Sequence, residues 1–367
     1  MENLTHERFL KNGEKVIQQL ISDTKAKGQT TVVLTGNYLI NETVILSSNT
    51  TLLLKDCHLR LADGVFCNMF RNEHCYDTEN RTREKADRNK KIIGEGRAIL
   101  DGGNYNGLSE RNSNKDGMPS IYNNNTVLFS NVENFEIRNL KVTNQRWWAL
   151  NFLFCRRGKI TDIDFLADYT MVENGVRVLG LDKAKAGLVY VRNADGIDLR
   201  VGCHDIIIEN ITGFTGDDTV ALTAIPGKKA LEFAVQGEPI DIYNVTIKNV
   251  MSSSFHTIVR LLNQGASKIY NILIDGVTDT SLNCEYYKGR GVACVRIGDQ
   301  HLYGERNSTK DETFNIAIKN IYSRGNAAVN LVGEMTNVKC ENIFGFDGCP
   351  VLINDEEAKL YYCYFLS

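Results

Sequence analysis

The amino-acid sequence predicts an all-β protein: a single-stranded right-handed parallel β-helix that begins with a capping helix. An apolar-x-apolar-x-Asn-apolar pattern recurs along the chain, with clear copies at residues 135–140, 245–250 and 316–321. Equivalent positions in neighbouring copies, such as Ile318 and Cys340, are 22 residues apart, a period typical of solenoids. A stretch with helical spacing precedes all of these copies. The fold prediction depends on these observations.

The helix is predicted at residues 6–27, before a glycine that favours a helix end, Gly28. We assign residues 1–28 to a capping helix region. Short apolar runs divided by Gly, Asn and Ser follow it, and they are typical of strands and turns. The helical spacing is carried by Phe9, Val16, Ile17, Leu20 and Ile21.

Each copy of the repeated pattern is predicted to form one strand of one coil. Weaker copies occur at residues 206–211, 272–277 and 338–343. The asparagine recurs at the same turn, so we expect a ladder of stacked amides that hydrogen-bond the backbone of adjacent coils. Its predicted members are Asn139, Asn210, Asn249 and Asn320.

A second series of short apolar runs alternates with the first. Stacked in register, these runs predict a parallel sheet whose inward residues fill the core and whose outward residues line a groove. They lie at residues 196–199, 219–222, 257–260, 294–297, 328–331 and 351–353.

Length and composition limit the possible partners. Elongated β architectures reach 367 residues as one unit, so we expect residues 1–367 to form a single domain. A formal net charge of -3 provides no basic surface for nucleic acid. No apolar run approaches the roughly 20 residues that span a bilayer, so no membrane partner is expected.

The ten cysteines are scattered, without disulfide-scaffold or zinc-ligand spacing. We expect buried free thiols in a reducing compartment. The first residues lack a charged-then-apolar signal segment, and the sequence therefore predicts a cytoplasmic protein; a signal segment ahead of them would instead imply secretion.

Three aspartates are the candidate catalytic groups. Asp195 and Asp217 are 22 residues apart, one coil, which predicts that they share an angular position on adjacent coils, with Asp218 beside them. Clustered carboxylates repel, and this raises at least one pKa. Glycosidic hydrolysis uses such a pair, one protonated acid and one ionised base, roughly 6.5–9.5 Å apart in an inverting enzyme. Gly-Asp-Asp on its own would also suit a simple turn.

The motifs resemble those of glycoside hydrolase family 28, the polygalacturonase and rhamnogalacturonase group with a pectin lyase-like β-helix. The family order is Asn-Thr-Asp, Gly-Asp-Asp, Gly-His-Gly and Arg-Ile-Lys. In this chain Asn-Ala-Asp, Gly-Asp-Asp, Phe-His-Thr and Arg-Ile-Gly occur in that order, at residues 193–195, 216–218, 255–257 and 296–298. Residues 94–96, 100–103 and 147–152 also look like family features, so the resemblance covers most of the chain.

The resemblance implies a role for each motif residue. Asp217 would be the general acid, while Asp195 and Asp218 would hold and deprotonate the attacking water, with inversion at the anomeric carbon. His256 would tune the acid. Asn193 and Arg296 would bind substrate, the latter through its planar donors. No metal and no cofactor are implied.

Two tryptophans near the groove each have two possible roles. Either Trp147 or Trp148 could stack on a sugar ring, and burial in the core is an equal alternative for each.

One departure from the family concerns the substrate. The family lysine that holds a uronate carboxylate is Gly298 here, and losing a charge-assisted bond costs of order 1.5–3 kcal/mol. Either another cation, such as Lys183, Lys185 or Arg290, replaces it, or the sugar at that subsite is neutral.

The sequence thus predicts an inverting glycoside hydrolase of polygalacturonase type, acting on a plant-type, pectic or related oligosaccharide that can contain uronate. The long segment 171–191 could close one end of the groove and favour exo action or short chains. A Ca²⁺-dependent polysaccharide lyase and a non-catalytic, tailspike-like carbohydrate-binding β-helix are the alternatives. A monomer and a homodimer are equally compatible with the sequence.

Overall fold

The computed structural model describes residues 9–62, 65–77, 81–103, 120–145, 147–167, 170–173, 176–179, 194–263, 265, 267–284, 289–299, 306–354 and 359–366. Two large parallel sheets dominate these residues. Among them, no helix combines the length and the apolar character that crossing a bilayer requires.

The predicted N-terminal helix is present but begins later than expected. Helix α1 spans Gly13–Ala26, after Asn12, whose left-handed backbone (φ 54°) interrupts any earlier helical turn. Leu10 instead forms a parallel bridge with Tyr38. Ile17 and Ile21, one turn apart, are buried against the first coil. The helix therefore caps the end of the solenoid, as predicted.

The first strand series forms one sheet. In the described part of the chain this sheet has twelve strands, and every pair in it is parallel. The strands are β1 (Thr31–Ile40), β3 (Thr51–Leu61), β5 (Asp87–Asp101), β7 (Val132–Thr143), β9 (Arg156–Leu166), β13 (His204–Thr215), β15 (Ile242–Ser254), β17 (Ile269–Asp279), β19 (Thr313–Ser323), β21 (Glu334–Gly345), β23 (Lys359–Tyr361) and β24 (Tyr364–Leu366).

The second series forms a sheet of ten described strands, which we call the groove sheet. Its strands are β2 (Val44–Leu46), β4 (Phe70–Asn72), β6 (Val127–Ser130), β8 (Leu150–Leu153), β12 (Ile197–Arg200), β14 (Val220–Ala224), β16 (Thr257–Asn263), β18 (Ala293–Ile297), β20 (Val329–Leu331) and β22 (Leu352–Asn354). The two sheets alternate along the chain, which confirms the right-handed parallel β-helix.

The core lies between the two sheets. Each strand contributes inward apolar residues that stack in files, such as Leu199, Leu222, Leu261 and Ile297 on the groove sheet, all essentially unexposed. One apolar cluster runs from Ile17 to Cys349. We propose on this basis that the chain forms a single domain, because a continuous core leaves no place for a boundary.

The asparagine ladder is present, but the predicted bonds to the backbone of the adjacent coil are replaced at three of its four predicted members: Asn139 bonds to backbone, whereas Asn210, Asn249 and Asn320 bond to side chains. All four predicted residues have left-handed backbone, which asparagine tolerates better than most residues. Asn139 donates to the Gly94 carbonyl at 2.7 Å, whereas Asn249 donates to the Asn210 side chain at 3.2 Å and Asn320 to the Asp275 carboxylate at 2.7 Å. An unpredicted second ladder runs along another turn, through Asp205, Asn244, Asn271, Asn315 and Asn337.

The remaining described elements lie outside the stacked strands. A short helix, α2 (Lys228–Leu231), and two 3₁₀ turns, Ile121–Asn123 and Ser281–Asn283, interrupt the coils. Strands β10 (Thr170–Glu173) and β11 (Val176–Leu179) form a separate antiparallel hairpin. This hairpin belongs to the long insertion before the first aspartate motif.

Candidate active site

The candidate catalytic aspartates lie at the N-terminal ends of two neighbouring groove-sheet strands. Strands β12 and β14 pair Ile197 with Val220, and the Gly196 amide donates to the Asp218 carbonyl at 3.0 Å. Asp195 therefore lies beside Asp218. The prediction that Asp195 and Asp217 share an angular position is wrong by one residue, because this coil is one residue longer than the 22-residue period.

The shift by one residue separates the aspartates by exposure. Asp195 and Asp218 are 5% and 4% exposed, whereas the Asp217 side chain is 22% exposed. Successive residues of an extended chain point to opposite sides, so adjacent Asp217 and Asp218 meet different surroundings. Asp217 is thus the most solvent-accessible of the three carboxyl groups.

His256 lies on the next coil, between β15 and β16, and contacts both members of the aspartate pair. Its Nδ1 atom is 2.9 Å from an oxygen of Asp218 and 3.7 Å from an oxygen of Asp217. Its backbone amide donates to the Ser254 hydroxyl at 2.9 Å. The structure thus brings His256 to the aspartates, as the sequence order predicts.

The charged neighbours of Asp218 lower its pKa. Burial alone would raise the pKa of Asp218, but Arg260, 3.5 Å away, and the hydrogen bond from His256 outweigh it and lower that pKa. Burial would likewise lower the pKa of His256, and the Asp218 and Asp217 carboxylates raise it instead. Each partner of the Asp218–His256 contact therefore favours the charged form of the other.

A fourth carboxyl group, Asp198, was missed by the sequence argument as a site residue. It is 1% exposed, and burial raises its pKa to about 8 against the opposing effect of Arg200, 3.7 Å away. The pKa of Asp195 is also raised, first by burial and then by Asp198, Asp217 and Asp218. Asp195 and Asp198 therefore retain protons at a pH at which Asp218 is ionised.

The substrate-binding candidate Arg296 lies on the outward face of β18, 15% exposed at its side chain, and pairs through Nη2 with Asp299 at 3.1 Å. Asp299 also pairs with Arg260. The sequence argument missed both Arg260 and Asp299. Alternation along the second strand series could have pointed to Arg260. The outward positions that pair from strand to strand are Asp198, Ala221, Arg260, Arg296 and Asn330.

The tryptophans adopt the buried alternative. Trp147 is unexposed and Trp148 is 4% exposed, within a small apolar cluster beside the groove sheet. The guanidinium of Arg200 lies 3.9 Å from the ring centre of Trp148 and covers it. Neither ring presents a face on which a sugar could stack.

Some predicted residues cannot be placed. Asn193 lies outside the described residues, as do Lys183 and Lys185. Arg290 donates to the Asp347 carbonyl near the C-terminal coils.

Gly298, at the position of the family lysine, has a left-handed backbone. Gly298 has a φ of +82°, and a Cβ atom there would lie 1.9 Å from the Val332 carbonyl oxygen. A lysine in place of Gly298 would therefore require the backbone to move. The glycine at this position thus fits both the left-handed backbone and the close approach of the next coil.

The arrangement can support acid-base chemistry and could also hold a cation. Ligand atoms of Asp217, Asp218 and His256 lie within 4.8 Å of one another. A single cation could be held by three ligand atoms at this spacing.

Comparison with known proteins identifies the class. The sequence matches the glycosyl hydrolases family 28 profile over residues 34–236, more than half of the chain, including all three aspartates. The protein is therefore a glycoside hydrolase. It belongs to family 28. His256 and Arg296 lie beyond the matched residues, and no curated protein matches the sequence.

Several solved structures share the fold. A hyperthermoactive exopolygalacturonase from Thermotoga maritima is 13% identical with a TM-score of 0.56, over 97% of this chain and 88% of the other. A family 28 exopolygalacturonase from Yersinia enterocolitica is 14% identical with a TM-score of 0.51, over 97% and 75%. A polygalacturonase from Erwinia carotovora ssp. carotovora is 14% identical with a TM-score of 0.54, over 96% and 89%.

Proposed function

We propose that this family 28 glycoside hydrolase cleaves pectic or related plant-type oligosaccharides with inversion of configuration. The observation that carries the proposal is the opposite direction of the pKa shifts in one cluster of carboxyl groups. Asp218 is held ionised by Arg260 and His256, while Asp195 beside it retains a proton. Hydrolysis needs one ionised carboxylate that accepts a proton from water. It also needs a protonated carboxyl group that donates to the leaving oxygen.

The roles follow from exposure and charge. Asp217, the most accessible aspartate, gives its proton to the glycosidic oxygen as the bond to the anomeric carbon breaks. Asp218 takes a proton from the attacking water, whose oxygen forms the new bond. Asp195, in its neutral form, can donate a hydrogen bond to that water. Afterwards Asp217 regains a proton from solvent and Asp218 loses one, which balances the cycle.

Substrate binding is assigned to Arg296, two residues before the position at which Gly298 replaces the family lysine. The Arg296 guanidinium keeps further donors beyond its bond to Asp299, and these suit sugar hydroxyls or a carboxylate. Exo action or cleavage of short chains is supported by the β10–β11 hairpin, which leaves the solenoid just before the aspartate motifs. Two of the structural neighbours are exopolygalacturonases.

The test is a panel of pectic and related oligosaccharides, with products followed by NMR from the first turnover. The proposal expects a product whose anomeric configuration is opposite to that of the substrate. Retention of configuration would overturn the inverting mechanism. A rapid fall in the viscosity of long pectin would overturn exo action.

A second candidate, a Ca²⁺-dependent lyase, is favoured by the close group of Asp217, Asp218 and His256, which could hold a cation. A lyase would produce an unsaturated product that absorbs ultraviolet light, and a chelator would abolish its activity. A hydrolase of the proposed type is insensitive to the chelator and yields no such absorbance.

We also propose a cytoplasmic location, supported by ten cysteines that are all free and mostly buried. We further propose that the protein is a monomer or a homodimer. Light scattering on the purified protein distinguishes them.

A further inference from the structure

Arg260 occupies an unusual position for a charged side chain. It lies in the middle of β16, is 4% exposed, and faces outward between Ala221 of β14 and Arg296 of β18. Its Nη1 atom is 3.5 Å from Asp218, and its Nη2 atom pairs with Asp299. One guanidinium therefore contacts two buried carboxylates.

The neighbouring strands explain why the side chain takes this direction. Arg260 and Arg296 are directly paired positions, so two like charges would repel without an intervening anion. Asp299 supplies that anion, since it pairs with both guanidinium groups. The small side chain at Ala221 leaves room for Arg260 to reach the preceding coil. The result is an alternating charge chain: Asp218, Arg260, Asp299 and Arg296.

We propose that Arg260 is a positioning residue for hydrolysis: its two-sided contact holds the Asp218 carboxylate toward the attacking water and joins it, through Asp299, to the substrate-facing Arg296. This inference rests on the proposed function for the role of Asp218. A planar guanidinium suits the task because its donors are fixed in one plane and can serve two carboxylates at once. The ammonium of a lysine has no such fork.

The other charged groups around Asp218 do not duplicate this contact. His256 faces it from the bend before β16, at 2.9 Å. Asp195 lies just before β12 and Asp198 within it, and Asp217 precedes Asp218 in the chain; all three are carboxyl groups. Among the described residues, Arg260, His256 and the Thr257 backbone amide favour an ionised Asp218, and of these Arg260 is the one that also pairs with Asp299.

The experiment measures the titration of the Asp218 carboxyl group. Aspartate carboxyl groups labelled with carbon-13 are titrated by NMR in the full-length protein, and the Asp218 signal is assigned by its loss in Asp218→Asn. In Arg260→Met we expect the Asp218 titration to move upward by about one pH unit or more. We expect kcat to fall about 100-fold with a much smaller change in KM, because the lost contact aligns a reacting group.

Two variants control the experiment. Arg156→Met removes another buried arginine, 1% exposed and 3.4 Å from Glu133, far along the chain from the site; it should leave both the Asp218 titration and kcat unchanged. Arg260→Lys retains the charge but not the fork, and it should recover part of kcat. A purely structural role would lower the melting temperature of Arg260→Met without moving the Asp218 titration.

The outcomes separate the two hypotheses. An unshifted Asp218 titration in Arg260→Met, or in the equally uncharged Arg260→Gln should the Met variant not fold, overturns the positioning role. If the wild type hydrolyses none of the oligosaccharides, the proposed function fails, and the titration still decides whether Arg260 controls Asp218.

Discussion

The Nδ1 atom of His256 lies 2.9 Å from an oxygen of Asp218, and this contact joins two adjacent coils of the solenoid. The pKa of His256 is raised and that of Asp218 is lowered, so each group stabilises the charged form of the other. The pair places a cation beside the proposed base and 3.7 Å from the proposed acid, Asp217. The His256 cation lies closer to Asp218 than to Asp217, so it favours the ionised form of the proposed base more strongly.

Asp217→Asn tests the acid. Asparagine has nearly the same shape but cannot protonate the leaving oxygen, so kcat should fall about 100- to 10,000-fold. Affinity for the oligosaccharide, measured by calorimetry, should change little because Asp217 is not the principal binding group. Asp164→Asn, on the other sheet and 47% exposed, is the matched control and should retain full activity. Retained turnover in Asp217→Asn would remove that residue from the mechanism.

Asp198→Asn tests the buried carboxyl group through stability. In the folded protein the pKa of Asp198 is raised from 3.8 to about 8 by burial. Between these two values the folded state binds more protons than the unfolded state, so the free energy of unfolding of the wild type falls as pH rises. The variant cannot titrate at this position. Its stability relative to wild type should therefore increase from about pH 4 to about pH 8 and then level off.

Urea unfolding at a series of pH values measures this difference. Asp164→Asn, on the other sheet, serves again as the control for the loss of one carboxylate. Parallel curves for Asp198→Asn would show that Asp198 releases its proton at an ordinary pH.

Gly298→Ala tests the backbone at the missing lysine. The φ of +82° and the 1.9 Å approach to the Val332 carbonyl predict a loss of roughly 2–5 kcal/mol in the free energy of unfolding. Gly348→Ala is the matched control, since Gly348 has a φ of +73° with nothing within 4 Å of its added Cβ, and should cost about 1–2 kcal/mol. Equal losses in urea unfolding would contradict the steric explanation.

Asn249 tests the asparagine ladder. Asn249→Gly keeps the left-handed conformation (φ 52°) and loses the side-chain bond to Asn210, which should cost about 0.5–1.5 kcal/mol. Asn249→Ala loses the same bond and adds about 1–2 kcal/mol of backbone strain. The order Asn, Gly, Ala in stability is the expected result of thermal or urea unfolding. An alanine variant as stable as the glycine variant would show that the backbone conformation carries no cost.

Much of the fold could be predicted because one short pattern is repeated. Stacked parallel strands need the same inward residues on every coil, so Ile247, Ile274 and Ile318 recur at matching positions in the sequence as well as in the core. The turns need a left-handed residue at one place, and asparagine recurs there. The helix start was less predictable because Asn12, and not the apolar spacing, determines where the first turn forms.

The sequence by itself determined the solenoid, the order of the motifs and the family, since each is a matter of periodicity and residue type along the chain. The tertiary structure alone decided which aspartate stands beside Asp195, because strand register depends on the length of each turn and a shift of one residue exchanges neighbours. It also decided the burial of Trp147 and Trp148 and the place of Arg260 between two carboxylates. Burial and charge pairing depend on residues brought together from different coils, and no local pattern encodes them.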